Sequence, residues 1–135
     1  MSTSTKVFLI ALIVIAIIFV MIGCQKNTTV TIPKVAQTVT KTVSFSKDII
    51  PILSTDCALS GCHVSGGHSP NLTDASAYNS LIGGSFVNKT EPANSIVYKR
   101  LTGKLTPAMP MGKDANPSNI EGLMLAWITQ GANNN

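Results

Sequence analysis

The chain has 135 residues, of which 44% are hydrophobic, 12% are charged and 5% are aromatic, and its formal net charge is +4. This length is enough for one folded domain at most. The basic residues form no continuous run and do not alternate with aromatic residues, which excludes the usual signatures of nucleic-acid binding. So few aromatic residues predict a thin core, and domains with thin cores often need an additional crosslink.

The N-terminal segment has the layout of a signal peptide. Lys6 provides a positive charge and residues 7–22 are uniformly apolar. Residues 21–24, Met-Ile-Gly-Cys, resemble the lipobox of bacterial lipoproteins, in which the cysteine becomes the lipidated first residue. We therefore predict a signal peptide over residues 1–23 and lipidation of Cys24. The alternative is an uncleaved transmembrane anchor, although the apolar run is shorter than the ~20 residues that span a bilayer.

Both interpretations place the rest of the chain outside the cytoplasm. Residues 24–43 are rich in Thr, Val and Lys and have no helical period, which predicts a lipidated N-terminus and a flexible linker. Gln25 lacks the acidic character linked to inner-membrane retention in some bacteria, which slightly favours the outer membrane. Without Lys6 the mature chain has nine basic and six acidic residues, a net charge of about +3.

Residues 44–135 are predicted to form an all-α domain, because no segment requires strand pairing. Ser46 is the expected N-cap of the first helix, with Asp48 in its first turn and Pro51 slightly later than a helix prefers. This helix leads directly into Cys57. Its predicted buried face consists of Phe45, Ile49, Ile50, Ile52 and Leu53.

Two short helices are predicted in the middle of the domain. Thr73 or Asp74 is the expected cap of one helix, which the Gly-Gly pair at 83–84 stops. The other is expected over residues 94–101, with Gly103 as its stop.

The last helix has the clearest pattern. Ser118 and Glu121 have the spacing of a capping box, and Gly131 is the expected end. Residues 132–135 are predicted to be a frayed polar tail. The apolar residues at helical spacing are Ile120, Leu123, Met124, Trp127 and Ile128.

Residues 57–63 read Cys-Ala-Leu-Ser-Gly-Cys-His, a C-x-x-x-x-C-H pattern. Covalent attachment of a c-type haem uses two thiols and an adjoining histidine, usually with two residues between the cysteines. The thiols add to the two vinyl groups and the histidine binds the iron. The adjacency of Cys62 and His63 is the strict requirement, because one short segment must reach both a vinyl group and the iron. Gly61 relieves the backbone beside Cys62, so a four-residue spacer is chemically tolerable.

Other interpretations of this run remain open. If Cys24 carries a lipid, Cys57 and Cys62 are left as a pair, which in an exported protein serves a disulfide, a metal site or haem attachment. Their spacing permits a disulfide. Zinc is also conceivable, with His63 and His68 completing four ligands, since zinc binds Cys and His. A chance match is the remaining explanation.

The segment Pro-Ala-Met-Pro-Met-Gly places Met109 and Met111 in a stiff loop between two helices. A low-spin electron carrier needs a second iron ligand, commonly a methionine from a distant segment. A methionine in such a restrained loop is poorly explained as flexible core filler. We predict Met109 as the distal ligand, with Met111 as the alternative. His68 is predicted to be a solvated loop residue, because it is too close to His63 in sequence to reach the opposite face of a porphyrin.

Several short motifs follow one another along residues 45–132. They are Phe45-x-x-Asp48-Ile49-x-Pro51-Ile52, the C-x-x-x-x-C-H run, Pro70-x-Leu72, Ala77-Tyr78, Ser95-x-x-Tyr98-x-x-Leu101, Met109-Pro110 and Trp127-Ile128-x-x-Gly131-Ala132. In this order they resemble the small haem domains of bacterial cytochrome c, especially those of planctomycete-type lipoprotein cytochromes. The resemblance implies the class I cytochrome c fold, with helices around one covalent haem c. It also implies thioethers at Cys57 and Cys62, iron ligation by His63 and Met109, and a Pro70 carbonyl that accepts a hydrogen bond from His63.

The sequence therefore predicts a membrane-tethered, extracytoplasmic monohaem cytochrome that carries single electrons and is not an enzyme. Its expected partners are redox proteins, and membership in a larger respiratory assembly stays open. One alternative is a haem enzyme or gas sensor with an open iron position. The other is a lipoprotein without haem, whose two cysteines form a disulfide or a zinc site. Four basic residues near the methionine loop are candidates for steering an acidic partner, although a solvated face is the simpler explanation: Lys99, Arg100, Lys104 and Lys113.

Overall fold

A computed structural model describes residues 37–112 and 116–135 of the chain. The predicted signal peptide, the lipidation site at Cys24 and residues 24–36 of the predicted linker lie outside these ranges. Within the described part the regular structure is helical and contains no strand, which confirms the all-α prediction. The helices are a π-helical segment Phe45–Ile49, α1 Ile50–Asp56, α2 Ala77–Gly83, a 3-10 turn Pro92–Asn94, α3 Ile96–Leu101, a 3-10 turn Pro117–Asn119 and α4 Ile120–Thr129. No described helix is long and apolar enough to cross a bilayer.

The first helix begins earlier than predicted. Ser44, rather than Ser46, is the N-cap, and its Oγ accepts the Lys47 N–H at 3.2 Å. The Asp48 carboxylate reaches back to accept the Ser44 N–H at 2.8 Å, so side chain and backbone satisfy each other reciprocally. Pro51 then falls in the first turn of α1, directly after the π-helical segment.

The capping box predicted at Ser118 is wrong. Ser118 has a φ of +48°, which removes it from the extended geometry that an N-cap requires. The side-chain oxygen of Asn116 accepts the Glu121 N–H at 2.8 Å instead. Asn119 precedes α4, and its amide is engaged in two 3.0 Å hydrogen bonds with the backbone of Gln37.

The two middle helices begin later than predicted. Ser76, rather than Thr73 or Asp74, precedes α2, because the Thr73 carbonyl first closes a separate turn by accepting the N–H groups of residues 76 and 77. The Asp74 carboxylate accepts a hydrogen bond from the Ser54 hydroxyl. The α3 helix starts at Ile96, after the preceding 3-10 turn.

Residues 37–43, which the sequence assigns to the linker, contact the helical domain. Val43 is 2% exposed, and its N–H donates to the side-chain oxygen of Gln130 at 2.9 Å. The Gln130 amide in turn donates to the Lys41 carbonyl at 3.0 Å. A Cβ added at Gly122 would lie 2.2 Å from the Gln37 carbonyl oxygen, so this segment approaches α4 as closely as glycine allows.

The C-terminal residues are docked, which corrects the prediction of a frayed tail. Ala132 is fully buried, and the Trp127 indole N–H donates to the Asn133 carbonyl at 2.8 Å. The side-chain oxygen of Asn135 accepts the Phe45 N–H at 2.9 Å, and its main-chain oxygen accepts the Ser46 N–H at 2.9 Å. The two ends of the described domain thereby stabilise each other.

An aromatic cluster forms the centre of the core. The ring centroids of Phe45 and Trp127 are 4.8 Å apart, and the Tyr78 ring contacts Phe45 edge-on at 5.6 Å. Edge-to-face and offset pairs of this kind are favourable beyond the area they bury. The other buried apolar residues around it are Val43, Ile49, Leu53, Leu72, Ala77, Leu81, Leu101, Ile120, Met124, Ile128 and Ala132.

Folding lowers the pKa of Asp48, because Lys41 Nζ donates a hydrogen bond to its carboxylate at 2.5 Å and the Ser44 N–H donates another. Such a group stabilises the fold above its unfolded pKa, and this contribution is lost as the pH falls through the folded pKa. We expect the free energy of unfolding to fall more steeply below about pH 4 in the wild type than in Asp48→Asn. Urea titrations across this pH range measure the difference. Lys41→Met, which removes the first cause, should give an intermediate slope, and equal slopes in all three proteins would contradict the assignment.

Candidate functional site

The four-residue spacer between Cys57 and Cys62 is folded into a compact loop. Cys57 caps the C-terminus of α1, with its N–H donating to the Leu53 carbonyl at 2.9 Å. The Cys62 N–H donates to the Leu59 carbonyl at 2.8 Å, which closes a β-turn whose third residue, Gly61, has a φ of +77°. The His63 N–H returns to the Cys57 carbonyl at 3.2 Å. The turn thus absorbs the additional length and brings the chain back beside the first cysteine.

A second loop holds His63 from the other side. The His68 N–H donates to the Cys62 carbonyl at 2.8 Å, and the Leu72 N–H donates to the His63 carbonyl at 2.8 Å. A Cβ added at Gly67 would lie 2.2 Å from the Cys62 carbonyl oxygen, so this position accepts glycine alone without a backbone shift. The N–H groups of residues 62 and 63 therefore bond to the preceding loop, and their carbonyl groups bond to the following one.

The imidazole of His63 is oriented by backbone carbonyls. Its Nδ1 lies 2.9 Å from the Pro70 oxygen and 3.2 Å from the His68 oxygen. Because carbonyl oxygens only accept, these contacts select the neutral tautomer with the proton on Nδ1 and the lone pair on Nε2. A histidine held in this way presents Nε2 as a metal ligand in a fixed direction. The hydrogen bond to Pro70 is the contact that the family resemblance implied.

A cavity of about 510 Å³ lies against this loop, within the range of ligand and cofactor sites. Residues from both halves of the predicted site line it: Cys57, Cys62, His63, Pro70, Met109 and Met111. Its apolar wall includes Leu53, Leu72, Phe86, Val97 and Leu101. Two thiols, an imidazole and a thioether around one apolar space are the donor set that a covalently bound haem uses, so the residues present fit that group.

The two candidate methionines differ in their exposure. Met109 is half-buried, and its N–H donates to the Arg100 carbonyl at 2.9 Å, which ties the loop to the end of α3. Met111 is 65% exposed. Met109 is therefore the less exposed of the two methionines that line the cavity.

Sequence reasoning missed two parts of the cavity wall. Phe86 follows the Gly-Gly stop of α2, and its carbonyl accepts the Val97 N–H at 3.1 Å, which joins this segment to α3. Arg100, one of the four basic residues near the methionine loop, is also a lining residue of the cavity. Val97, Arg100 and Leu101 are three and four positions apart on one short helix. This spacing predicts that they share a helix face and is the sequence signal that could have identified Arg100 as a lining residue.

The residues of the alternative sites are placed differently. In the described ranges no three His, Cys, Asp or Glu side chains are arranged to hold a metal ion. Cys57 and Cys62 are not bonded to each other. His68 is exposed, although its carbonyl contacts His63. Of the basic residues, Lys104 is exposed and Lys113 lies outside the described ranges.

No family model, curated protein or solved structure matches the chain. The class of protein that the described residues define is an all-α domain with a thiol- and imidazole-lined apolar cavity. The resemblance to bacterial cytochrome c domains stays a prediction from the sequence motifs.

Proposed function

We propose that this protein is a monohaem c-type cytochrome that transfers single electrons outside the cytoplasm while a lipid tethers it to a membrane. One observation carries the proposal: a single apolar cavity brings Met109 to the Cys57–His63 loop, although these segments are far apart in the chain. A disulfide or a chance motif gives no reason for this arrangement.

The proposed haem would be held by residues on both sides of the cavity. Cys57 and Cys62 would form the thioethers, His63 Nε2 would be the proximal ligand and the Met109 sulfur the distal one. Pro70 and His68 keep the imidazole in one tautomer and orientation through the hydrogen bonds at Nδ1. When bound, the haem supplies an iron that changes its charge by one electron.

The cavity wall determines the environment of that electron. Leucine, valine and phenylalanine side chains exclude water, which together with sulfur ligation favours the reduced iron and raises the reduction potential. The two large apolar residues that are exposed among the described residues, Ile96 at 39% and Met111 at 65%, both line this cavity. We assign this exposed rim as the place where electrons enter and leave. The partners would be redox proteins, with a lipid at Cys24 keeping the domain near them.

Mass spectrometry of the mature protein, produced with a working cytochrome c maturation system, tests the proposal. We expect the mass of one haem in covalent attachment, because both thiols adjoin the cavity. Cys57→Ser should keep a single thioether at Cys62, and Cys57→Ser combined with Cys62→Ser should lose all covalent haem. Wild-type protein without the added mass would sink the proposal. A reduced wild-type protein that binds carbon monoxide readily would instead favour a haem enzyme or gas sensor with an open iron position.

A further inference from the structure

The end of α3 is bound to the methionine loop by its last carbonyl groups. These groups have no partner within a helix and must be satisfied elsewhere. After Gly103 turns the chain with a φ of +73°, the Leu105 N–H donates to the Lys99 carbonyl at 3.0 Å. The Met109 N–H donates to the Arg100 carbonyl at 2.9 Å. The loop thereby follows a path defined by the C-terminus of the helix.

Arg100 adds a side-chain contact to this main-chain contact. Its Nη1 donates to the Pro107 carbonyl at 3.1 Å, two residues before Met109. The side chain is half-buried and lines the cavity beside Pro107 and Met109. A hydrogen bond from a guanidinium is stronger than a neutral one, although water competes for this contact because it is exposed. One residue therefore holds the loop at two points, one of them at Met109 itself.

We propose that Arg100 is a positioning residue for Met109: the hydrogen bond from its guanidinium to Pro107 holds the loop so that the Met109 thioether faces the cavity. This inference rests on the proposed function, because it concerns the distal ligand of the haem. It goes beyond that function because it assigns a structural role beside the haem site to Arg100, for which the sequence predicts a solvated face. Arg100 acts through the loop and not by contact with the iron.

Arg100→Met tests the inference, since methionine keeps an apolar stem but cannot donate. Loss of one charge-assisted hydrogen bond should weaken the sulfur–iron bond about tenfold. The oxidised protein should then lose its sulfur-to-iron absorption band about one pH unit earlier on alkaline titration. The Met109 amide, followed by NMR, should exchange its hydrogen about tenfold faster. Lys89→Met, which removes an equal charge from an exposed position outside the cavity, is the matched control and should behave as wild type.

Different failures have different meanings in this experiment. A haem-loaded Arg100→Met protein with wild-type band, titration and amide exchange would overturn the inference and leave the proposed function intact. Wild-type protein that carries no covalent haem would overturn both. If Arg100→Met does not fold, Arg100→Gln carries the same expectation, because its shorter side chain does not reach Pro107.

Discussion

Replacement of Met109 by alanine is expected to abolish the sulfur-to-iron absorption band of the oxidised protein and to open one iron position to carbon monoxide. The physical reason is that alanine has no sulfur to bind the iron. Met109 is half-buried and its N–H is hydrogen-bonded to the Arg100 carbonyl of α3, which holds its side chain beside the cavity. Methionine ligation raises the potential of a c-type haem, and axial ligands set it over about 0.8 V. We therefore expect the reduction potential of Met109→Ala to fall by roughly 100 mV or more. Visible spectroscopy and a redox titration measure both effects.

Met111→Ala is the matched control for this experiment. Met111 lies two residues away and lines the same cavity, but it is 65% exposed. Its replacement should leave the band in place and change the potential little. If the band survives in Met109→Ala and disappears in Met111→Ala, the distal ligand is Met111. If it survives in both single variants, neither position is specifically required.

Replacement of Trp127 by alanine is expected to have the largest effect on stability. Trp127 is 1% exposed, packs against Phe45 and donates its indole N–H to Asn133. Truncation of a buried tryptophan costs about 3–5 kcal/mol, which is a large share of the stability of a small domain. For a domain of this size the melting temperature should fall by roughly 15 °C or more. Calorimetry or thermal unfolding followed by circular dichroism gives the value.

Two variants separate the contributions at this position. Trp127→Phe keeps an aromatic ring against Phe45 but loses the hydrogen bond to Asn133, so we expect a loss between those of wild type and Trp127→Ala. Thr129→Ala changes an exposed position on the same helix and should have an effect below about 1 kcal/mol. A Trp127→Ala protein as stable as Thr129→Ala would show that the aromatic cluster contributes little to the fold.

The errors of sequence reasoning concern contacts between distant segments. Ser46 and Ser118 have acceptable cap chemistry, but Asp48 favours a start at Ser44, and the left-handed residues Ser118 and Asn119 directly precede α4. The tail is polar in composition, yet Asn135 binds Phe45, which lies 90 residues earlier. The local sequence pattern contains no information about contacts with distant residues. It therefore predicts the helices but not their first residues or the docking of the C-terminus.

The helical class and the two halves of the candidate site can be predicted from sequence because both depend on neighbours in the chain. A helix is predicted from apolar residues three and four positions apart, and the proposed haem attachment from a cysteine directly before His63. The tertiary structure decided the rest: the cavity that the two halves share, the lower exposure of Met109, the closed turn at Gly61 and the contact of Arg100 with Pro107. These features depend on how α3 packs beside the Cys57–His63 loop. That arrangement is set by burial and hydrogen bonding between residues far apart in sequence.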